Sequence, residues 1–250
     1  MDTHDSEKNV FIQSAIEMSE GDGVDVDRLF PVTRDRMNFD PFVLWDNFNI
    51  GPGHGFPTHP HRGFEAITYM FSGSIEHKDN LGNQSRVTSG GAQRFTAGRG
   101  IEHSEMPDTQ EMSKGIQLWV NLAKDLKSIE PSYQQVDKDN IPVKEIEGGK
   151  ISIIVGDESP VKLNTPVRYL EVSLDNDAIL TEPVPSDFRG FVYVLSGQLS
   201  INGKLVEQRQ AFYFENIEEL KVKTVTKSHF MLCMGKPHKE PIRQYGPFVD

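Results

Sequence analysis

The chain has 250 residues, a length that buries a sizeable core in one large domain or two ordinary ones without any covalent staple. Its 26 Lys and Arg against 37 Asp and Glu give a net charge of −11, and an acidic surface of that size repels nucleic acid and anionic lipid, so neither is expected as a direct partner. A single cysteine, Cys233, excludes an intramolecular disulfide and fits a reducing compartment, and nowhere do about 18 apolar residues run together as a membrane span requires.

The opening segment, Met1-Asp2-Thr3-His4-Asp5-Ser6-Glu7-Lys8, has neither the basic nor the apolar region of a signal peptide, and the cytoplasm is the expected location. From there on, 21 Gly and 15 Pro punctuate short runs rich in Val, Ile, Phe and Tyr, the texture of an all-β chain with tight turns. The first motif is Gly53-x5-His59-Pro60-His61-x3-Glu65, followed by an alternating strand, Ala66-Ile67-Thr68-Tyr69-Met70-Phe71, and a Ser72-Gly73 turn. The second is Gly90-x5-Thr96-Ala97-Gly98-x4-His103-Ser104-Glu105. Side chains at i and i+2 of a strand share a face, so His59 with His61, and His103 with Glu105, each aim two donors at one barrel interior. Three imidazoles and one carboxylate then converge. A lone His-x-His pair is a weak signal; a second donor pair about 40 residues later, in an equally Gly-rich setting, makes it a candidate metal site.

Other candidates along the chain have plainer readings. His54 and His77 read as a polar loop histidine and a solvated strand histidine. Trp119, in the strand Ile116-Gln117-Leu118-Trp119-Val120-Asn121-Leu122, reads as core packing rather than a platform for an aromatic ligand. Arg62 and Arg99 flank the donor pairs and are second-tier candidates for an anionic substrate. The segment near Lys124-Asp125-Leu126-Lys127 predicts one helical turn.

Glu130 to Gly149 is polar and charged and contains Pro131 and Pro142, which predicts a linker over 131–149 between a first domain, 1–130, and a second, 150–250. The second half then repeats the first. Gly190-Phe191-Val192-Tyr193-Val194-Leu195-Ser196-Gly197 is again an alternating strand with a Ser-Gly turn, and Tyr69 and Tyr193, Ser72 and Ser196, Gly73 and Gly197 share one offset of 124. At that offset His59, His61, Glu65 and His103 correspond to Pro183, Pro185, Arg189 and Lys227, so the second copy is expected to be metal-free. Cys233, in the apolar run Phe230-Met231-Leu232-Cys233-Met234, reads as an inert buried thiol.

Three longer strings carry a specific likeness. Phe56-Pro57-x-His59-Pro60-His61-Arg62-Gly63-Phe64-Glu65, Thr96-Ala97-Gly98-Arg99-Gly100-Ile101-x-His103-Ser104-Glu105-Met106-Pro107 and Gln117-Leu118-Trp119-Val120-Asn121-Leu122 resemble the pirin family of the cupin superfamily. The resemblance runs from about Gly21-Asp22-Gly23 to Gly246-Pro247-Phe248-Val249. It implies an all-β bicupin, two jelly-roll type cupin barrels in tandem. It also implies one mononuclear iron in the N-terminal barrel through His59, His61, His103 and Glu105, with Glu65 outside the ligand set. The donor chemistry by itself leaves Fe, Mn, Ni, Cu and Zn open. The implied activity is that of a quercetin 2,3-dioxygenase, in which a planar flavonol and O2 react, carbon monoxide is released, and Glu105 is the catalytic base. The alternative it implies is a metal-dependent, redox-sensing cofactor of transcription factors or enzymes that acts through a protein partner. Relatives continue past the Gly-Pro-Phe-Val motif into a C-terminal helix, and its absence here is expected to leave a packing surface open on the first barrel.

Overall fold

The computed structural model describes residues 9–108 and 110–250. They form an all-β structure of two compact units, and the helical turn expected near Lys124 is a single 3-10 turn, Lys124–Leu126. No helix among the described residues is long and apolar enough to cross a membrane.

The first unit comprises Ile16–Ile141, Pro160–Thr165 and His238–Asp250. Its central element is the long strand Phe42–His61, which serves two sets of partners. Phe42 to Ile50 pair with Ser113–Asn121, whereas Phe56 to His61 pair with Ile101–Pro107. The change of partner falls on Gly51-Pro52-Gly53-His54-Gly55, where Gly53 and Gly55 have φ of +81° and +146°, conformations that L side chains rarely adopt. The Gly-rich stretch before the first donor pair is thus the corner at which one strand passes between the two faces of a barrel. Apolar side chains fill both ends, with Val24, Phe48, Ile50, Met70 and Val87 in one cluster and Phe64, Phe95, Ile101 and Val249 in another. Burial of each Phe-sized side chain contributes about 1.5–3 kcal/mol.

The second unit comprises residues 9–15, Pro142–Ser159 and Pro166–Pro237. A seven-stranded and a four-stranded sheet enclose an apolar core that includes Phe212, Phe214, Phe230, Leu199 and Leu232. Val10–Ser14 pairs here with Gln210–Glu215. Residues 131–149, read above as a linker, contain two strands: Ser132–Val136 pairs with Ala92–Thr96 in the first unit, and Val143–Ile146 pairs with Gly149–Val155 in the second. Short alternating stretches such as Tyr133-Gln134-Gln135-Val136 carry too few apolar residues to stand out from a polar loop.

The strand and Ser-Gly turn that share the offset of 124 recur in both units. Gly73 and Gly197 both have positive φ, +70° and +86°, and at each a serine hydroxyl closes the turn. Ser113 Oγ accepts from the Ser74 N–H at 3.2 Å and Ser228 Oγ from the Gln198 N–H at 3.1 Å.

The C-terminal segment docks on the first unit. The Val249 N–H donates to the Arg62 carbonyl at 3.0 Å, and the Lys127 amine donates to the carbonyls of Gly63 and Val249, both at 3.0 Å. A Cβ on Gly63, which has φ +86°, would lie 1.8 Å from the Val249 carbonyl oxygen. Gly63→Ala therefore combines backbone strain with a backbone collision and is expected to destabilise the protein by roughly 2 kcal/mol or more. The denaturant midpoint measures this, and an unchanged midpoint would mean that residues 248–250 do not pack against Gly63.

Candidate metal centre

Three neighbouring antiparallel strands place alternate side chains on one interior face. His59 stands opposite His103 in the pairing of Phe42–His61 with Ile101–Pro107, and on the other side of that strand His77 stands opposite Glu105 and Asp79 opposite His103. The i, i+2 rule then gathers His59 with His61, His103 with Glu105, and His77 with Asp79. The candidate ligand atoms fall into two groups that share His103: those of His59, His61 and His103 lie within 4.8 Å of one another, as do those of His77, His103 and Glu105. The structure therefore brings together the three histidines singled out in the sequence, places Glu105 beside His103, and adds His77.

Backbone carbonyls orient two of the rings. His59 Nδ1 lies 2.7 Å from the Pro57 carbonyl oxygen and His61 Nδ1 lies 3.2 Å from that of Pro247. A carbonyl only accepts, so in each neutral ring the proton sits on Nδ1 and the lone pair on Nε2. His59 Nε2 faces His103 Nε2 at 3.1 Å. Burial, followed by the neighbouring His59, lowers His61 to about 3, and burial together with the other three imidazoles holds His103 well below the usual range. Both rings are thus neutral at neutral pH, the form that ligates a metal. Three imidazole nitrogens at this spacing suit a divalent transition ion, whose bonds to nitrogen are about 2.1 Å.

Glu105 is 2% exposed and is held from the opposite sheet. Gln117, Thr68 and Gln93 lie in register across three adjacent strands. Thr68 Oγ1 donates to Glu105 Oε1 at 3.0 Å, Gln93 Nε2 donates to the same oxygen, and Gln117 Nε2 donates to Oε2 at 3.0 Å. Nothing in the sequence marks this row, because Thr and Gln on an alternating strand read as its solvent face. Glu65 is also fully buried but turns elsewhere: its oxygens accept from the Thr96 hydroxyl at 2.8 Å, the Asn164 N–H at 2.8 Å and the Asn164 amide at 2.9 Å.

A cavity of about 610 Å³ opens onto the group, lined by His59, His61, Glu105, Trp119, Phe48 and Arg28 among others. Trp119 stacks on Phe64 with centroids 4.1 Å apart and meets the His61 ring edge-on at 4.9 Å, so it both packs and forms a cavity wall. Arg28 is paired on both sides, through Nε and Nη2 to the two Asp46 oxygens at 2.7 and 2.6 Å and through Nη1 to Glu20 at 2.6 Å. One cation held by two carboxylates makes that wall anionic and rich in acceptors. Arg62 and Arg99 do not join it; they are half-exposed or more and pair with Asp250 and Glu130. His54 is exposed at the corner of the long strand. His77, read from the sequence as solvated, is fully buried. Its flanks, Glu76 and Lys78, are polar, and period-2 alternation alone does not tell which face of such a strand points inward.

In the second unit the offset positions hold no comparable group among the described residues. Lys227 pairs with Asp175 at 3.1 Å, Arg189 pairs with Glu215 at 2.7 Å, and Cys233 is fully buried, its thiol pushed well up by burial.

Two tandem β-barrel units, one with an interior lined by imidazoles and a carboxylate, define a bicupin. The family model described as Pirin matches residues 23–120 and that described as Pirin C-terminal cupin domain matches residues 169–250, while Pirin from Rattus norvegicus is 39% identical over 244 residues, spanning 93% of this chain and 84% of that protein. The chain belongs to the pirin family. Pirin from Homo sapiens is 38% identical over 245 residues, again 93% of this chain and 84% of that one. A crystal structure of quercetin 2,3-dioxygenase from Acinetobacter baumannii superposes with a TM-score of 0.89 at 28% identity, covering 96% of this chain and 91% of that chain.

Proposed function

We propose that the protein is a metal-dependent dioxygenase that opens the central ring of a flavonol such as quercetin with O2, at one ion held by His59, His61, His103 and Glu105. The reading rests on three converging imidazoles, two of them oriented by backbone carbonyls, that meet a buried carboxylate at the wall of a cavity of about 610 Å³. The resemblance to the Acinetobacter quercetin 2,3-dioxygenase supports the choice of reaction, and the choice of iron rests on the sequence resemblance alone. When bound, the ion supplies the redox chemistry that lets O2 react with a closed-shell organic substrate.

The residues do the rest. Phe48, Val26, Leu44 and Trp119 give the cavity apolar walls for a planar ring system and exclude water from it. Glu20 and Asp46, which share Arg28, favour a neutral substrate with hydroxyl donors over an anionic one. Glu105 accepts the proton of the flavonol hydroxyl beside the carbonyl, and Thr68, Gln93 and Gln117 hold its carboxylate in place for that transfer. Both oxygen atoms of O2 enter the ring-opened ester, and one ring carbon leaves as carbon monoxide.

Glu65 is proposed to lie outside the ligand set, because its carboxylate turns to Thr96 and Asn164 and joins neither group of candidate ligand atoms, whereas Glu105 joins one. Glu65→Gln is therefore expected to keep one equivalent of metal with at most a loss of about 10- to 100-fold in affinity. Elemental analysis after gel filtration reads this, and complete loss of metal would make Glu65 a ligand.

A further inference from the structure

We propose that His77 and Asp79 are positioning residues that fix the tautomer of His103, so that its Nε2 lone pair faces the ion; this rests on the metal-centre reading above. The Asp79 side chain is fully buried. Its Oδ1 accepts from the Leu81 N–H at 3.0 Å and the Asn83 N–H at 2.9 Å, and its Oδ2 accepts from the Asn83 amide at 2.8 Å. Surrounded by donors, the carboxylate has only acceptor capacity left for His77 Nε2, which lies 3.0 Å from Oδ2. His77 therefore carries its proton on Nε2.

A neutral imidazole has one N–H, so His77 Nδ1 is left with a lone pair. That lone pair faces His103 Nδ1 at 3.4 Å. An ion held by the Nε2 lone pairs of His59 and His103, which face each other at 3.1 Å, would leave the His103 proton on Nδ1, where it donates to His77. The Pro57 and Pro247 carbonyls impose this tautomer directly on His59 and His61; the carboxylate Asp79 imposes it on His103 through one intervening ring. Tyr133 sets the plane of that ring, stacking on His77 at 4.1 Å with 17° between planes. The same Tyr133 donates its hydroxyl to Gln93 Oε1 at 3.0 Å, and Gln93 donates to Glu105, so one side chain braces the supports of both His103 and Glu105.

The relay excludes a second ion between His77, His103 and Glu105, because such an ion would need the His103 Nδ1 lone pair that the relay gives to a proton. Two measurements on the full chain test it. In protein loaded with one equivalent of diamagnetic Zn(II), long-range imidazole ¹⁵N–¹H correlation should find the His77 proton on Nε2 and the His103 proton on Nδ1; either proton on the other nitrogen overturns the relay without any variant. In anaerobic titration with Fe(II), His77→Phe keeps a ring on Tyr133 but has no acceptor, and should lose about 10- to 100-fold in affinity. His77→Gln, which retains an acceptor and a donor, should recover part of that loss. Wild-type affinity in His77→Phe, or two equivalents of iron in the wild type, overturns the proposal, and a wild type that binds no iron removes it together with the metal centre. Neither readout uses turnover, so a protein that passes both yet leaves flavonols intact keeps the relay and loses only the proposed reaction.

Discussion

His59→Ala and His103→Ala are each expected to abolish stoichiometric metal binding while the fold survives. In the proposed ligand set each removes one of three imidazoles, and two imidazoles with a carboxylate hold a divalent ion far less well. The loss should exceed the roughly 10- to 100-fold that removal of an outer-shell partner causes. Stability responds differently at the two sites. His59 is only partly buried at the cavity rim, so its removal should change the melting temperature little. His103 is 1% exposed and packs edge-on against Phe95 with centroids 4.6 Å apart, so its truncation leaves a void that costs on the order of 1–3 kcal/mol. The other apolar clusters, in either unit, are untouched. Because the second unit has no three-ligand group among its described residues, no residual equivalent should remain in either variant. Metal analysis beside a thermal melt reads both effects, and wild-type stoichiometry in either variant would remove that histidine from the ligand set.

Glu105→Gln is expected to lower flavonol turnover by about 10²-fold or more in metal-matched samples, the usual scale for a lost general base. The substitution keeps the shape of the side chain but loses its negative charge and its capacity to accept the substrate proton. It also turns an NH2 toward a neighbour that donates, since Thr68 and Gln93 both give to Oε1 and Gln117 gives to Oε2. One of those amides must flip or leave a contact unmade, at about 1–3 kcal/mol. Metal should be retained at least in part through the histidines. The rate per bound metal at saturating quercetin separates the two consequences: equal rates for variant and wild type would take Glu105 out of the chemistry.

The parts of this site that were legible in the sequence are those whose chemistry is rare. Two donor pairs at i, i+2 spacing in Gly-rich settings stand out because histidine is uncommon, and the structure brings His59, His61 and His103 together by the strand geometry that the spacing implies. The internal repeat was legible for a similar reason, since Gly73 and Gly197 sit at turns where an added Cβ would lie 2.6 and 2.3 Å from a serine hydroxyl. What the sequence did not reveal is made of common residues in uncommon places. Thr68, Gln93 and Gln117 become a clamp only because three strands align them in register, and register is a long-range property. His77 looked solvated because its neighbours Glu76 and Lys78 are charged, yet on an alternating strand charged neighbours are what a buried residue has. Arg28, Asp46 and Glu20 converge from strands whose sequences are ordinary, and the strand Ser132–Val136 was hidden in a stretch polar enough to pass for a linker.

In the proposed reaction one ion at the three histidines drives oxidation of a flavonol. Its most direct test is aerobic incubation of quercetin with wild-type protein, prepared metal-free and then loaded with Fe(II), following flavonol absorbance and carbon monoxide release together. The expected result is loss of absorbance with one carbon monoxide per flavonol consumed, dependent on added metal and absent in His59→Ala. A wild type that holds one equivalent of iron and leaves quercetin and related flavonols unchanged would contradict it.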